Sequence, residues 1–358
     1  MERRTLVHGV AAARILGLGA AGVAARKVES LAINSGPKAV TVPEDIHAAS
    51  IKWPRYGAEE KRYLSELLDS NKFYEEIPLL EAETKAYLGV PFAKAHINGT
   101  SALMSMFFAL NLPEGSEIMT PSYTASATIA PMRFFGYVPI FLDIDPRTAC
   151  LDLADAKRKL TGRTKAIVPM HAWGLPCDLD QICAWAKESG LLVLEDAAQA
   201  QGATLQGKQM GAWGTMGIFS FQMSKVLPAV EGGMGVYQDR EQFERATAFG
   251  NYDLPGRFPP DSKYRKYHQT GFGPKFRIHP LAAALARKQM PKLEERNALI
   301  ASQVRRLNER LTALPGLSTQ RARSDMKRVH WAANILFLDA KKAGFSKSAL
   351  LKALKAEG

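Results

Sequence analysis

The sequence predicts an α/β fold: a mostly parallel sheet sandwiched by helices, followed by an incomplete smaller α+β C-terminal domain. Three observations predict it. From about residue 96, short apolar runs bounded by turn residues alternate with helix-period stretches. The strands so separated are too far apart to close as hairpins, so they pair in parallel through right-handed crossovers. Finally, 358 residues with 46% apolar and 23% charged content suit one large or two ordinary folded domains.

The N-terminus carries Arg3 and Arg4 ahead of an uncharged apolar run, Ile15 to Ala25, closed by Arg26 and Lys27. The run is only eleven residues, and a membrane-spanning helix needs roughly 20. It resembles a twin-arginine export signal, with a plain basic arm as the alternative. Gly17, Gly19 and Gly22 match a dinucleotide-binding pattern, yet Arg14 leaves only two apolar residues ahead of Gly17, so no convincing strand precedes it, and no acidic residue follows at the required distance.

Further along, Glu117 to Pro121, Val138 to Ile144, Ala166 to His171 and Leu191 to Glu195 read as buried strands. Leu151 to Leu160 and Asp180 to Glu188 read as helices between them. The stretch from Gly202 to Lys208 has phosphate-loop spacing, but Gln209 stands where a magnesium-holding Ser or Thr belongs, so a hairpin turn is expected. Gly250 to Lys275 holds no periodic element, which in a compact domain marks a functional loop. Pro280 to Leu314 predicts a long helix broken at Pro291, then Trp331 to Leu338 a strand and Ser346 to Lys355 a helix. No internal repeat or low-complexity tract is visible.

The net charge of +12 is local rather than general: residues 1–27 hold five Arg/Lys against one Glu, and residues 256–300 ten against three. A basic segment beside near-neutral sequence suits a small anionic ligand or a partner surface better than a nucleic-acid footprint. Three cysteines, Cys150, Cys177 and Cys183, build neither a disulfide framework nor a paired zinc site.

Chemistry concentrates at three places. Gly99, Thr100 and Ser101 open an apolar helix, where free backbone N–H groups and hydroxyls favour a phosphate. The apolar strand Leu191 to Leu194 ends in Glu195 and Asp196, and a carboxylate at the carboxyl end of a buried parallel strand faces the ligand crevice. A third short strand runs through Phe219 and Ser220 to Lys225, and a pocketed lysine that loses its proton becomes a nucleophile toward aldehydes. Singly, each has a bland explanation in capping or solvation. Together and in this order they suit pyridoxal 5'-phosphate, which asks a protein for a lysine, an acid at its ring nitrogen and phosphate donors.

At these residues the chain resembles the DegT/DnrJ/StrS-type sugar aminotransferases, fold-type I pyridoxal-phosphate enzymes that aminate keto-sugars. The resemblance runs from Lys72 to about Glu295, on NGTSAL (98 to 103), EGSEIMTPSYT (114 to 124), PIFLDIDP (139 to 146), RTKAIVPMHAWGLPCDLD (163 to 180), LLVLEDAAQAQGA (191 to 203), QGKQMGAWGTMGIFSFQMSK (206 to 225), EGGMGV (231 to 236) and GPKFRIHPLAAALARKQMPKL (273 to 293). It implies that Lys225 forms the covalent link to the cofactor and later moves the substrate proton. By the same resemblance Asp196 pairs with the pyridine nitrogen and Gln199 contacts the ring. Gly99, Thr100, Ser101 and Ser220 hold the phosphate. The family pattern has an aromatic residue stacked on the ring where this chain has Ala125, which leaves that place to Tyr123 or to no stacking residue at all. It has Asn, reaching the neighbour's phosphate, where this chain has Lys275.

The resemblance further implies an amino-acid donor, glutamate, a keto-sugar acceptor that is nucleotide-linked in much of the family, and a homodimer whose Gly250 to Lys275 loop crosses to the partner. The expected division is a signal-like segment 1–27, a large cofactor-binding domain 28–250, and 251–358 as interface loop, long helix and truncated small domain. A family branch that dehydrates sugars has His at the lysine position, so Lys225 speaks against it. The competing reading is a non-catalytic cofactor-binding or regulatory protein, favoured by Ala125 and the short C-terminal domain. An export signal and a cytoplasmic nucleotide-sugar substrate pull in opposite directions, and both locations stay open. His171 is expected to be a satisfied structural residue, and Trp173 and Trp213 to serve packing.

Overall fold

The computed structural model describes residues 30–251, 258, 260–271 and 273–358. The signal-like segment 1–27 and the Gly17, Gly19, Gly22 pattern lie outside the described residues. The chain forms two compact units. One holds the described residues up to Trp53 with Ala301–Gln320 and Asn334–Gly358, the other Pro54–Ile300 with Arg321–Ala333. In the smaller unit Leu317–Thr319 pairs antiparallel with Leu336–Leu338. There the carboxylate of Glu357, on the helix Lys347–Glu357, accepts the backbone N–H groups of Ala32 and Ala39 at 2.9 Å each.

The larger unit runs α1 (Ala58–Ser70), α2 (Glu76–Leu88), β1 (Phe92–His96), α3 (Gly99–Leu110), β2 (Glu117–Pro121), α4 (Ser126–Phe134), β3 (Val138–Leu142), α5 (Leu153–Lys159), β4 (Thr164–Ile167), α6 (Leu179–Glu188) and β5 (Leu192–Asp196). It continues through β6 (Thr204–Leu205), β7 (Lys208–Gln209), β8 (Met216–Ser220), β9 (Gly233–Tyr237), α7 (Arg240–Gly250) and α8 (Pro280–Gln289) to α9 (Leu293–Leu311), within which the division between the units falls. Seven strands form one sheet in the order β1-β9-β8-β5-β4-β2-β3. Neighbours from β8 to β3 pair in parallel, while β9 is antiparallel to both β8 and β1. The carboxyl ends of β1, β2, β3, β4, β5 and β8 therefore share one edge, the edge at which α/β sheets bind ligands.

The helix α3 forms because Asn98, in an extended conformation, accepts the Ser101 N–H at 2.8 Å while its own N–H meets the Ser101 hydroxyl at 3.2 Å. Its apolar residues Leu103, Met106 and Phe107 then bury against Ile118, Leu194 and Ile218 of the sheet, each such side chain contributing roughly 1.5–3 kcal/mol. The Gly202 to Lys208 stretch is a hairpin: β6 and β7 are joined by Gln206 and Gly207, both at positive φ, as a two-residue hairpin turn requires. Helix α8 gives way at the turn Met290–Lys292, around Pro291, before α9.

Two expected strands differ. The run Ala166 to His171 is a strand only over Thr164–Ile167, since Pro169 has no N–H to give the ladder. Trp331 to Leu338 is a strand only over Leu336–Leu338, because Ala332 turns the chain at φ 58° and the Ala333 N–H closes onto the Trp331 carbonyl at 2.6 Å. Within Gly250 to Lys275, residues 252–257, 259 and 272 lie outside the described residues. Phe258 and Tyr264 pack on Ala248, and Ser262 donates to Glu244 at 2.5 Å. Among the described residues no helix is long and apolar enough to cross a membrane.

Candidate active site

The sheet edge collects the residues singled out in the sequence. After β1 comes the start of α3, after β2 come Tyr123 and α4, after β5 come Asp196 and Gln199, and after β8 come Ser220 and Lys225. The start of α3 and the end of β8 touch: a Cβ on Gly99 would lie 2.9 Å from the Ser220 Cβ. Glycine is required there by close approach, and the helix N–H groups consequently open beside the Ser220 hydroxyl. Ser101 is turned inward, buried and engaged in the helix cap, its hydroxyl donating to the Asn98 carbonyl at 2.9 Å. Gly99 is buried against Ser220, and Thr100 is the exposed residue of that helix start. Lys275 sits nearby along the backbone. The Ile97 N–H bonds the Phe276 carbonyl at 2.7 Å and His96 bridges Arg277 antiparallel, so Lys275 comes opposite Asn98.

The two adjacent carboxylates at the end of β5 part company. Glu195 is fully buried, where it accepts the N–H groups of Gly211 and Trp213 at 2.6 Å and Gly214 at 2.7 Å, and faces His171 Nε2 at 3.2 Å. His171 Nδ1 accepts the Cys177 N–H at 3.1 Å, which fixes the proton on Nε2 as the donor to Glu195. Both are therefore scaffold. Asp196 points the other way along the pleat. Its Oδ2 accepts the Thr128 hydroxyl at 2.7 Å, Thr128 pairs with Thr124 at 2.8 Å, and its Oδ1 accepts the Ala198 N–H at 3.1 Å. Thr128 escaped the sequence reading, since nothing in a helix of ordinary composition marks it.

Lys225 follows β8 in a tight loop in which its own N–H meets the Gln222 carbonyl at 2.8 Å and the Ala229 N–H the Phe221 carbonyl at 2.7 Å. Burial pulls its amine below the ordinary lysine pKa, while the negative charge of Asp196 works in the opposite direction. Lys225 Nζ stands 3.9 Å from the centre of the Trp331 ring. Trp331 stacks on Trp173 with centroids 5.2 Å apart and planes at 25°. The Trp173 indole N–H donates to the Tyr123 hydroxyl at 3.0 Å, and its backbone N–H to Gln199 Oε1 at 2.7 Å. Trp173, expected to serve packing, does stack on Trp331 and is in addition tied to two of the candidate residues.

A family model described as the DegT/DnrJ/EryC1/StrS aminotransferase family matches residues 54–358. The chain belongs to that family. It is 32% identical over 245 residues to a GDP-perosamine synthase of Escherichia coli O157:H7, covering 68% of this chain and 65% of the relative. It is 36% identical over 219 residues to a UDP-N-acetyl-3-dehydro-alpha-D-glucosamine 3-aminotransferase of Acidithiobacillus ferrooxidans, covering 61% of this chain and 57% of the relative. The chain thus spans less than two thirds of the length of these two relatives. Among solved structures, the aminotransferase from Psychrobacter cryohalolentis superposes with a TM-score of 0.75 at 28% identity, over 84% of this chain and 80% of that one.

The cofactor of the family is pyridoxal phosphate, and the residues here fit it. A partly desolvated amine, a buried carboxylate steadied by Thr128, and a helix start pressed against Ser220 are the donor set that its aldehyde, ring nitrogen and phosphate ask for.

Proposed function

We propose that the chain transfers an amino group from an amino-acid donor, glutamate, to the carbonyl of a keto-sugar carried on a nucleotide. The observation that carries the reading is the placement of Asp196 at the end of β5, in register with Ile218 of the neighbouring parallel strand β8, while Lys225 lies in the loop that follows β8. When bound, pyridoxal phosphate supplies the electron sink that makes an amino acid's α-proton acidic. Lys225 would hold the cofactor at its aldehyde, and its amine would carry the proton between the donor's α-carbon and the carbon that bears that aldehyde. Asp196 keeps the ring nitrogen protonated, with its carboxylate oriented by Thr128. Gly99, Thr100 and Ser220 hold the phosphate, Gln199 and Tyr123 border the ring, and Lys275 supplies a point charge to a phosphate in a homodimer. The names of the GDP- and UDP-linked relatives support the nucleotide sugar.

The test adds glutamate to the purified, cofactor-loaded full chain. Without acceptor, 2-oxoglutarate should be released once, in proportion to active sites. Adding a nucleotide-linked keto-sugar should make the release continuous, and Lys225→Ala should abolish both. Bound cofactor with no release from any amino acid would leave a binding protein in place of a transferase.

A further inference from the structure

The tryptophan that covers Lys225 does not come from the strand edge that builds the rest of the site. Trp331 belongs to the 321–333 segment of the larger unit, far along the chain from β8. Its indole N–H donates to the Ser224 carbonyl at 3.0 Å, which pins the ring to the residue directly before the lysine. The ring then has Lys225 Nζ 3.9 Å from its centre and is stacked on Trp173. Trp173 is held in turn by Tyr123, Gln199 and Arg328, the last donating to the Trp173 carbonyl at 3.3 Å. The whole arrangement requires Trp173 to adopt φ 56°, a conformation that costs about 1 kcal/mol or more for a residue other than glycine.

We propose that Trp331 is a positioning residue for Lys225, its indole face holding the ammonium group at the end of β8 and thereby setting the proton affinity of that amine. An aromatic face attracts a cation through its quadrupole, most strongly where water is excluded. Burial removes water from Lys225 and disfavours its charged form. The indole face restores part of that lost solvation, so the lysine keeps a defined position in the fold. Titratable and charged groups around the arrangement include Asp196, at the end of β5, whose field favours the charged amine, and, on the segment that bears Trp331, Arg328 and His330, the latter's pKa lowered to about 4 by burial and then by Arg328. The meaning for catalysis rests on Lys225 as the cofactor-linking amine, but the contact itself does not.

The test reads the amine in the full chain before cofactor is added, so that failure of the inference and failure of the proposed function are separable. The rate at which acetic anhydride acylates Lys225 is followed against pH by peptide mass spectrometry in the wild type, Trp331→Leu and Trp331→Phe. Leucine keeps water out but has no aromatic face, and should lower the labelling midpoint by about 0.4 to 1.5 pH units. Phenylalanine keeps the face, loses only the N–H to Ser224, and should stay within a few tenths of the wild type. A leucine midpoint equal to or above the wild type, or a phenylalanine midpoint equal to the leucine one, overturns the proposal. Should the leucine variant not fold, fluorotryptophan incorporated into the full chain gives the second reading. The Trp331 resonance should titrate with the acylation midpoint of Lys225 and stop titrating in Lys225→Met, and a resonance that titrates identically in both contradicts the contact.

Discussion

Glu195 and Asp196 stand side by side in the sequence, yet the pleat of β5 sends one carboxylate to four donors of the scaffold and the other to Thr128 and the Ala198 N–H. A strand-end acidic pair was legible; which of the two faces the crevice follows from alternation, and Thr128 follows from neither. His96, the last residue of β1, shows what burial does to a single group. Its Nδ1 lies 2.8 Å from the Lys94 carbonyl, its Nε2 has no partner, and burial lowers its pKa to about 4. The unfolded chain therefore takes up this proton near pH 6.5, before the folded chain does. The stability carried by the neutral ring is complete above about pH 6.5 and is lost as the pH falls toward 4, up to about 3 kcal/mol. Urea unfolding of the wild type should weaken across that window by more than it does in His96→Gln. Equal slopes in the two proteins would show that the ring is not held neutral.

The elements that sequence reveals are those whose pattern is their own. The strand Glu117–Pro121 and the helix break around Pro291 fall where expected, because unbroken apolar runs and a missing N–H are local facts. The strand β9 was hidden by its glycines, which weaken any strand signal. They are there for space, since a Cβ on Gly233 would meet the Asn98 carbonyl oxygen at 2.4 Å and one on Gly235 the Tyr237 hydroxyl at 2.5 Å. Trp331 was hidden by the turn at Ala332, which carries no turn residue to announce it. At this scale Glu195 ties β5 to the 211–214 loop. Glu195→Gln puts an amide N–H₂ against N–H donors and should cost about 3 kcal/mol or more in denaturant unfolding. A loss under ~1 kcal/mol would remove its role as the junction between strand and loop.

Across the molecule, the formal excess of positive charge in residues 256–300 is partly answered within the fold. Arg287 pairs with Glu76 and Glu83, Lys292 with Glu59 and Glu60, and Lys263 with Glu241. The charge sum alone therefore overstates what that segment offers a partner. Family membership, the common edge of six parallel strand ends, and Asp196 and Lys225 at the ends of neighbouring strands support the covalent chemistry proposed above. The most direct test loads the full chain with pyridoxal phosphate, reduces it with borohydride, and maps the modified peptide by mass spectrometry. The pyridoxyl group should be found on Lys225 and be absent from Lys225→Ala. A label on another lysine, or cofactor bound with no covalent label at all, would contradict the account.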